Sequence, residues 1–124
     1  MDPNAIAPGV FLVLVFLGLL LPSIPACDCA YFESLFGLRD TRDGDLFSRF
    51  CELAFRSSYR DVLPAYEAFF ATVGRYAFHE PVFRALAAED WSRPLARPLL
   101  ERWRHRHHAL TVTAIERILT QAGL

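Results

Sequence analysis

An all-α fold is what this sequence predicts: a small compact bundle of four or five helices behind an N-terminal hydrophobic signal or anchor helix. Three observations carry that expectation. Apolar residues recur at helical spacing in segment after segment, and no stretch alternates convincingly as a strand. Prolines and glycines fall where helices would start and stop.

The first element is the run VFLVLVFLGLLLPSIPACDCA, residues 10–30. From Val10 to Leu21 every residue is apolar or Gly, a length that fits the h-region of a secretory signal. Pro22 breaks it, and Ala26 offers a small residue for cleavage just before Cys27. The region ahead carries Asp2 and no basic residue, and Ile24 is bulky three positions before the cut. An anchor is the competing reading. Nothing ionisable other than cysteine lies between Asp2 and Asp28, so about 20 residues could cross a bilayer core. Arg39 and Arg42 lie C-terminal to the run, which would leave the body in the cytoplasm. The expected organisation is residues 1–26 as signal peptide or membrane anchor and residues 27–124 as a single helical domain, with cleavage favoured.

In the body, residues 30–38 place Phe32, Leu35 and Phe36 on one face of a short helix. The charged turn 39–45 follows, with Asp45 set to N-cap the next helix. Residues 46–58 then align Leu46, Phe47, Phe50, Cys51, Ala54 and Phe55 in one stripe. Pro64 in a first turn and Gly74 as a C-cap bound a third helix. Residues 80–90 repeat that grammar with Pro81 near the start, and 91–98 read as a proline-punctuated connector. The last helix is the longest, from about Leu99 to Ala122. It offers Leu99, Trp103, Leu110 and Ile115 to the core and stops at Gly123. Phe69, Phe70 and Phe83 complete the expected core.

Composition narrows function. The net charge is −1, so no general affinity for nucleic acid is indicated. All thirteen fixed basic side chains are Arg, which removes Schiff-base chemistry on lysine. The three cysteines are an odd count. In an oxidising compartment Cys51 could pair with Cys27 or Cys29, closing a loop of about 25 residues worth about 3 kcal/mol. Beside a membrane, Cys27 and Cys29 would instead be candidates for lipidation.

The most distinctive polar stretch is ERWRHRHH, residues 101–108. On a continuous helix Arg102 and Arg106 share a face and His105 pairs with His108, with Arg104 between them. Such a face can grip acidic side chains through bidentate guanidinium bonds. A solvated helix face is the plainer alternative. Trp91 and Tyr76 are candidate aromatic anchors, since aromatics and Arg dominate binding energy at interfaces. His105 and His108 with Cys27 and Cys29 would make a sensible zinc donor set, but nothing in the sequence brings the pairs together. No cofactor is expected. His79–Glu80 is a candidate base and orienter that reads more readily as a cap or turn. No nucleophile elbow, HExxH or phosphate loop is present, and no enzyme activity is expected. The expectation is a small secreted or lumenal protein that works by binding another protein. The alternative is a membrane-anchored structural or adaptor subunit held by residues 5–24.

Overall fold

A computed structural model describes residues 23–124; the run expected as signal or anchor lies outside the described residues, apart from its last positions. Among the described residues there are six α-helices and no strand. No helix among them is long and apolar enough to cross a membrane.

Helix α1 (Ala26–Phe36) starts four residues before the expected position and ends at Gly37, whose φ of +60° is the left-handed conformation glycine adopts at little cost. Cys29 is its one buried residue, Phe32 and Phe36 are half-buried, and Leu35 points outward instead of joining them. A 3-10 turn (Leu38–Asp40) buries Leu38 and leads to α2 (Gly44–Arg56). The α2 N-cap is Asp43 and not Asp45: its carboxylate accepts the N–H groups of Asp45 and Leu46, both at 3.1 Å. The expected stripe from Leu46 to Phe55 is buried throughout. Gly44 permits close approach, because a Cβ there would lie 2.8 Å from the Phe78 ring.

Helix α3 (Leu63–Thr72) carries Pro64 in its first turn as expected, but it ends at an extended Val73, one residue before Gly74. Helix α4 (Tyr76–Ala88) begins before the expected start and keeps Pro81 inside, giving up the one hydrogen bond a proline cannot donate. The expected connector 91–98 is mostly helix: α5 (Arg93–Trp103) has Pro94 in its first turn and Pro98 within. The short link works because its side chains serve the end of α4. Ser92 Oγ donates to the Leu86 carbonyl at 2.7 Å and Arg93 to that of Ala87 at 2.8 Å, occupying oxygens that a helix end leaves open.

The long final helix is in fact two. A 3-10 turn (Arg104–Arg106) and an extended His107 interrupt it before α6 (Ala109–Gln121). Gly123, at φ +82°, closes α6 as expected, with Leu124 N–H bonded to the Leu119 carbonyl at 2.8 Å. The interruption turns Leu110 outward, 74% exposed, so it is no core residue.

Alternate helices form the inner layer: α2, α4 and α6 pack side by side with α4 in the middle, and α5 lies against both α4 and α6. Helix α3 covers the seam between α2 and α4. Its Tyr66 meets Phe55 of α2 at 5.8 Å and Phe83 of α4 at 6.4 Å between ring centroids. Phe50, Phe55, Phe70, Phe83 and Ile115 are fully buried, while Phe69 and Trp103 are half-buried at the edge.

All three cysteines are thiols, and the expected bridge from Cys51 does not form. Cys27 points off the surface of α1, and a helix separates residues two apart by roughly 200°, so Cys29 alone faces inward. Burial pushes the Cys29 and Cys51 thiols up, which makes both poor nucleophiles.

Candidate functional site

The Arg/His stretch does not form one continuous face. The break between α5 and α6 distributes its side chains in four directions. Arg102 reaches across to Glu67 on α3, and the same carboxylate oxygen accepts Trp103 Nε1–H at 3.0 Å. Burial alone would raise the Glu67 pKa, but the hydrogen bonds from Trp103 and Arg102 outweigh it and hold the carboxyl below its ordinary value. Arg104 is a clamp between helices, bonded to Glu101 on α5 at 2.7 Å and to Glu116 on α6. These two carboxylates raise the Arg104 pKa further.

The histidines divide as well. His107, which the sequence did not single out, lies flat on Phe70 at 4.2 Å and 20° between rings, and its Nε2–H donates to the Phe70 carbonyl at 2.7 Å. That bond is what breaks the long helix, because it pulls the chain inward and extends its backbone. His108 then becomes the N-cap of α6, its Nδ1 accepting the Leu110 N–H at 3.1 Å. His105 is exposed and stacks loosely on Trp103, with ring centroids 6.4 Å apart. The expected pairing of His105 with His108 therefore fails. Among the described residues Arg106 has no carboxylate within ion-pair distance.

Beside this knuckle lies a cleft of about 200 Å³ between α3 and α5. Its walls are Leu63, Leu95 and Pro98, with the Glu67–Arg102 pair at the rim. Leu95 is 41% exposed. The arrangement presents an apolar slot next to a charged rim, followed by exposed His105, Arg106 and Leu110.

The two candidate aromatic anchors make contacts within the fold. Trp91 Nε1–H donates to the Phe55 carbonyl at 2.9 Å, and the Arg60 guanidinium sits 5.2 Å from its ring centroid. Tyr76 is half-buried at the start of α4, its phenol pushed up by burial and by Glu80. His79 is no cap or turn but a fully buried core residue. Its Nδ1 meets Tyr66 OH at 3.0 Å, and its Nε2–H donates to the Val73 carbonyl. Burial pushes its pKa down to about 4, and the His107 ring 5.4 Å away adds to the effect. Glu80 turns to Arg84 instead, at 3.0 Å. Among the described residues no three His, Cys, Asp or Glu side chains converge as metal ligands.

Residues 11–119 match the family model described as leukotriene A4 hydrolase, C-terminal. The chain belongs to the leukotriene A4 hydrolase C-terminal family. No curated protein and no solved structure matches it. All seven candidate binding residues fall inside the matched span, and so does most of the apolar run that begins at Val10. Sequence reasoning missed Glu67, Glu116 and His107. The first two are partners from other helices, 35 and 12 residues away from the arginines they bind.

Proposed function

We propose that this chain is a non-catalytic helical module that works by binding another protein, the partner being the catalytic body of a hydrolase. One observation carries the reading: the family that spans residues 11–119 is described as the C-terminal part of a hydrolase. The geometry favours the α3–α5 cleft and the knuckle after it as the docking surface. Leu95 and Leu110 supply exposed apolar area, Arg106 and His105 supply donors, and the Glu67–Arg102 pair sets a polar rim. An apolar centre with a polar rim is the usual anatomy of a protein interface.

The test is reconstitution. A leukotriene A4 hydrolase lacking its own C-terminal domain is mixed with the purified chain, and association is followed by co-elution and titration calorimetry. A complex is expected, and the double variant Arg106→Ala, Leu110→Ser should weaken it at least tenfold with an unchanged melting temperature. Absence of association, or hydrolysis of leukotriene A4 by the chain alone, would overturn the proposal.

A further inference from the structure

The link between α5 and α6 is held by two imidazoles that fit only when neutral. His107, extended at φ −117° and ψ 150° between the 3-10 turn and α6, lies over Phe70 and gives its Nε2–H to the Phe70 carbonyl. Its Nδ1 is buried and has no hydrogen-bond partner among the described residues. A proton added there becomes a buried donor without an acceptor, on a ring that has also become charged. His108 depends on the other half of the same chemistry. Its Nδ1 accepts the Leu110 N–H, so a proton on that nitrogen removes the acceptor and leaves a first-turn donor of α6 open.

We infer that His107 and His108 form an acid-operated hinge: protonation of the pair releases the α5–α6 link and the first turn of α6 while the rest of the bundle stays folded. The titratable groups facing His107 from the packed helices are His79 of α4, 5.4 Å away between ring centroids, and behind it the Tyr66 hydroxyl of α3. Both His79 nitrogens are already engaged, by Tyr66 and by the Val73 carbonyl. The carboxylates of the surrounding helices, Glu67, Glu101 and Glu116, are bonded to Arg102 and Arg104. Among the described residues none lies within ion-pair distance of His107 or His108. Arg104 and Arg106 flank His107 on its own segment and add only positive charge. Burial already lowers the His107 pKa, against the opposing bond to Phe70. His107 is half-buried where His79 is fully buried, so the link meets water before the core does. Opening displaces exposed His105, Arg106 and Leu110, the surface proposed above for docking; the hinge stands without that docking, and its test needs no partner.

Amide hydrogen exchange on the full chain, corrected for intrinsic rates, reads the hinge at Leu110 and Val112, whose N–H groups bond His108 Nδ1 and the His108 carbonyl. Their protection should lie below that of the α2 amides, as expected of a local opening. It should fall at least about tenfold from about pH 7 to about pH 5, since each proton that the closed link refuses contributes up to about tenfold per unit. The fall should persist in His79→Gln, which leaves the hinge pair intact. In the double variant His107→Phe, His108→Asn, which keeps a ring over Phe70 and an acceptor for Leu110 but cannot titrate, it should shrink to about twofold or less. NMR of the unaltered protein gives a reading that needs no variant to fold: the His107 ring protons, shifted by the Phe70 ring beneath them, should move to exposed positions as the ring titrates. Protection equal to that of α2, a wild-type fall below about twofold, a fall lost in His79→Gln or one surviving in the double variant would each overturn the inference. So would a His107 ring that titrates and keeps its Phe70 shift.

Discussion

The four histidines fall into two pairs that differ only in surroundings. His79 and His107 lie edge to face in the aromatic core, and both touch Phe70. His105 and His108 sit a residue or two from His107 and are exposed. Inside, His79 is a neutral, shaped filler that spends both nitrogens on fixed partners, Tyr66 and Val73, whereas His107 spends only Nε2, on the Phe70 carbonyl. Outside, an imidazole is a surface donor or, for His108, a cap. The lesson is that a run such as RHRHH has no single character. One inward residue, His107, decides where the backbone breaks and so where all its neighbours point.

The largest effect should come from the ring that the inner pair shares. Phe70 is fully buried against Tyr66, Phe83, His79 and His107. Phe70→Ala should cost about 4 kcal/mol in urea denaturation, the range for a buried aromatic truncated to a cavity. It should also release His107, visible as faster hydrogen exchange in the Arg104–Ala109 backbone. A loss below about 1.5 kcal/mol would mean that the core closes over the gap and that His107 is not pinned by this ring.

Next comes acid. The folded pKa of His79 is about 4, below the value of about 6.5 for an unfolded histidine. Between those values the unfolded chain binds a proton that the folded chain refuses, so stability falls as pH falls from about 6.5 towards 4. The span of about 2.5 units corresponds to about 3 kcal/mol at the lower end. His107, whose pKa burial also lowers despite its bond to Phe70, acts in the same direction. Groups facing His79 from the packed helices are the Tyr66 hydroxyl and the His107 ring, with no carboxylate among these contacts to rescue the charge. Chemical denaturation between pH 7 and 4.5 should show the slope, and His79→Gln should flatten it. A slope equal in both proteins would assign the acid sensitivity elsewhere.

Helix α2 was almost fully legible in the sequence, because its stripe from Leu46 to Phe55 is a local pattern with a local cause. Its start was misread by two positions, since Asp43 and Asp45 are equally good caps in isolation. The backbone settles the matter: Thr41 Oγ1 accepts the Asp43 N–H at 3.2 Å and so orients Asp43 ahead of the helix. Asp43→Ala should therefore cost about 1 kcal/mol, whereas Asp45→Ala should stay within about 0.5 kcal/mol. Equal losses in thermal melts would return the cap to both. The segments with Pro81 and Pro98 were misread for a different reason. Proline favours a first turn, but a helix held by tertiary packing tolerates one missing donor, and Pro98 sits on the exposed side of α5. The candidate site was the least legible part. Arg102 on Glu67, Arg104 on Glu116 and His107 on Phe70 are all pairings between helices, and no rule about neighbours three or four apart reaches them.

The smallest effect is also the finest test of the contrast between the histidines. His105 and His108 are both exposed and three residues apart, and on a continuous helix their loss would be equivalent. The broken helix makes them unequal. His108 sits at the N-cap with φ −59° and ψ 145°, and its Nδ1 accepts the Leu110 N–H, one of the donors a helix start leaves open. His105 lies loosely over Trp103 and bonds nothing among the described residues. His108→Ala should lower stability by about 0.5 to 1 kcal/mol, and His108→Asn, which restores an acceptor at the same place, should recover most of it. His105→Ala should change stability by less than about 0.5 kcal/mol. If the two alanine variants melt together, or if asparagine gives no recovery, residues 99–122 form one helix in solution and the knuckle loses its structural cause. If they separate as expected, the cap is fixed by His107 at the neighbouring position, and the exposed surface at His105, Arg106 and Leu110 is a consequence of that single half-buried ring.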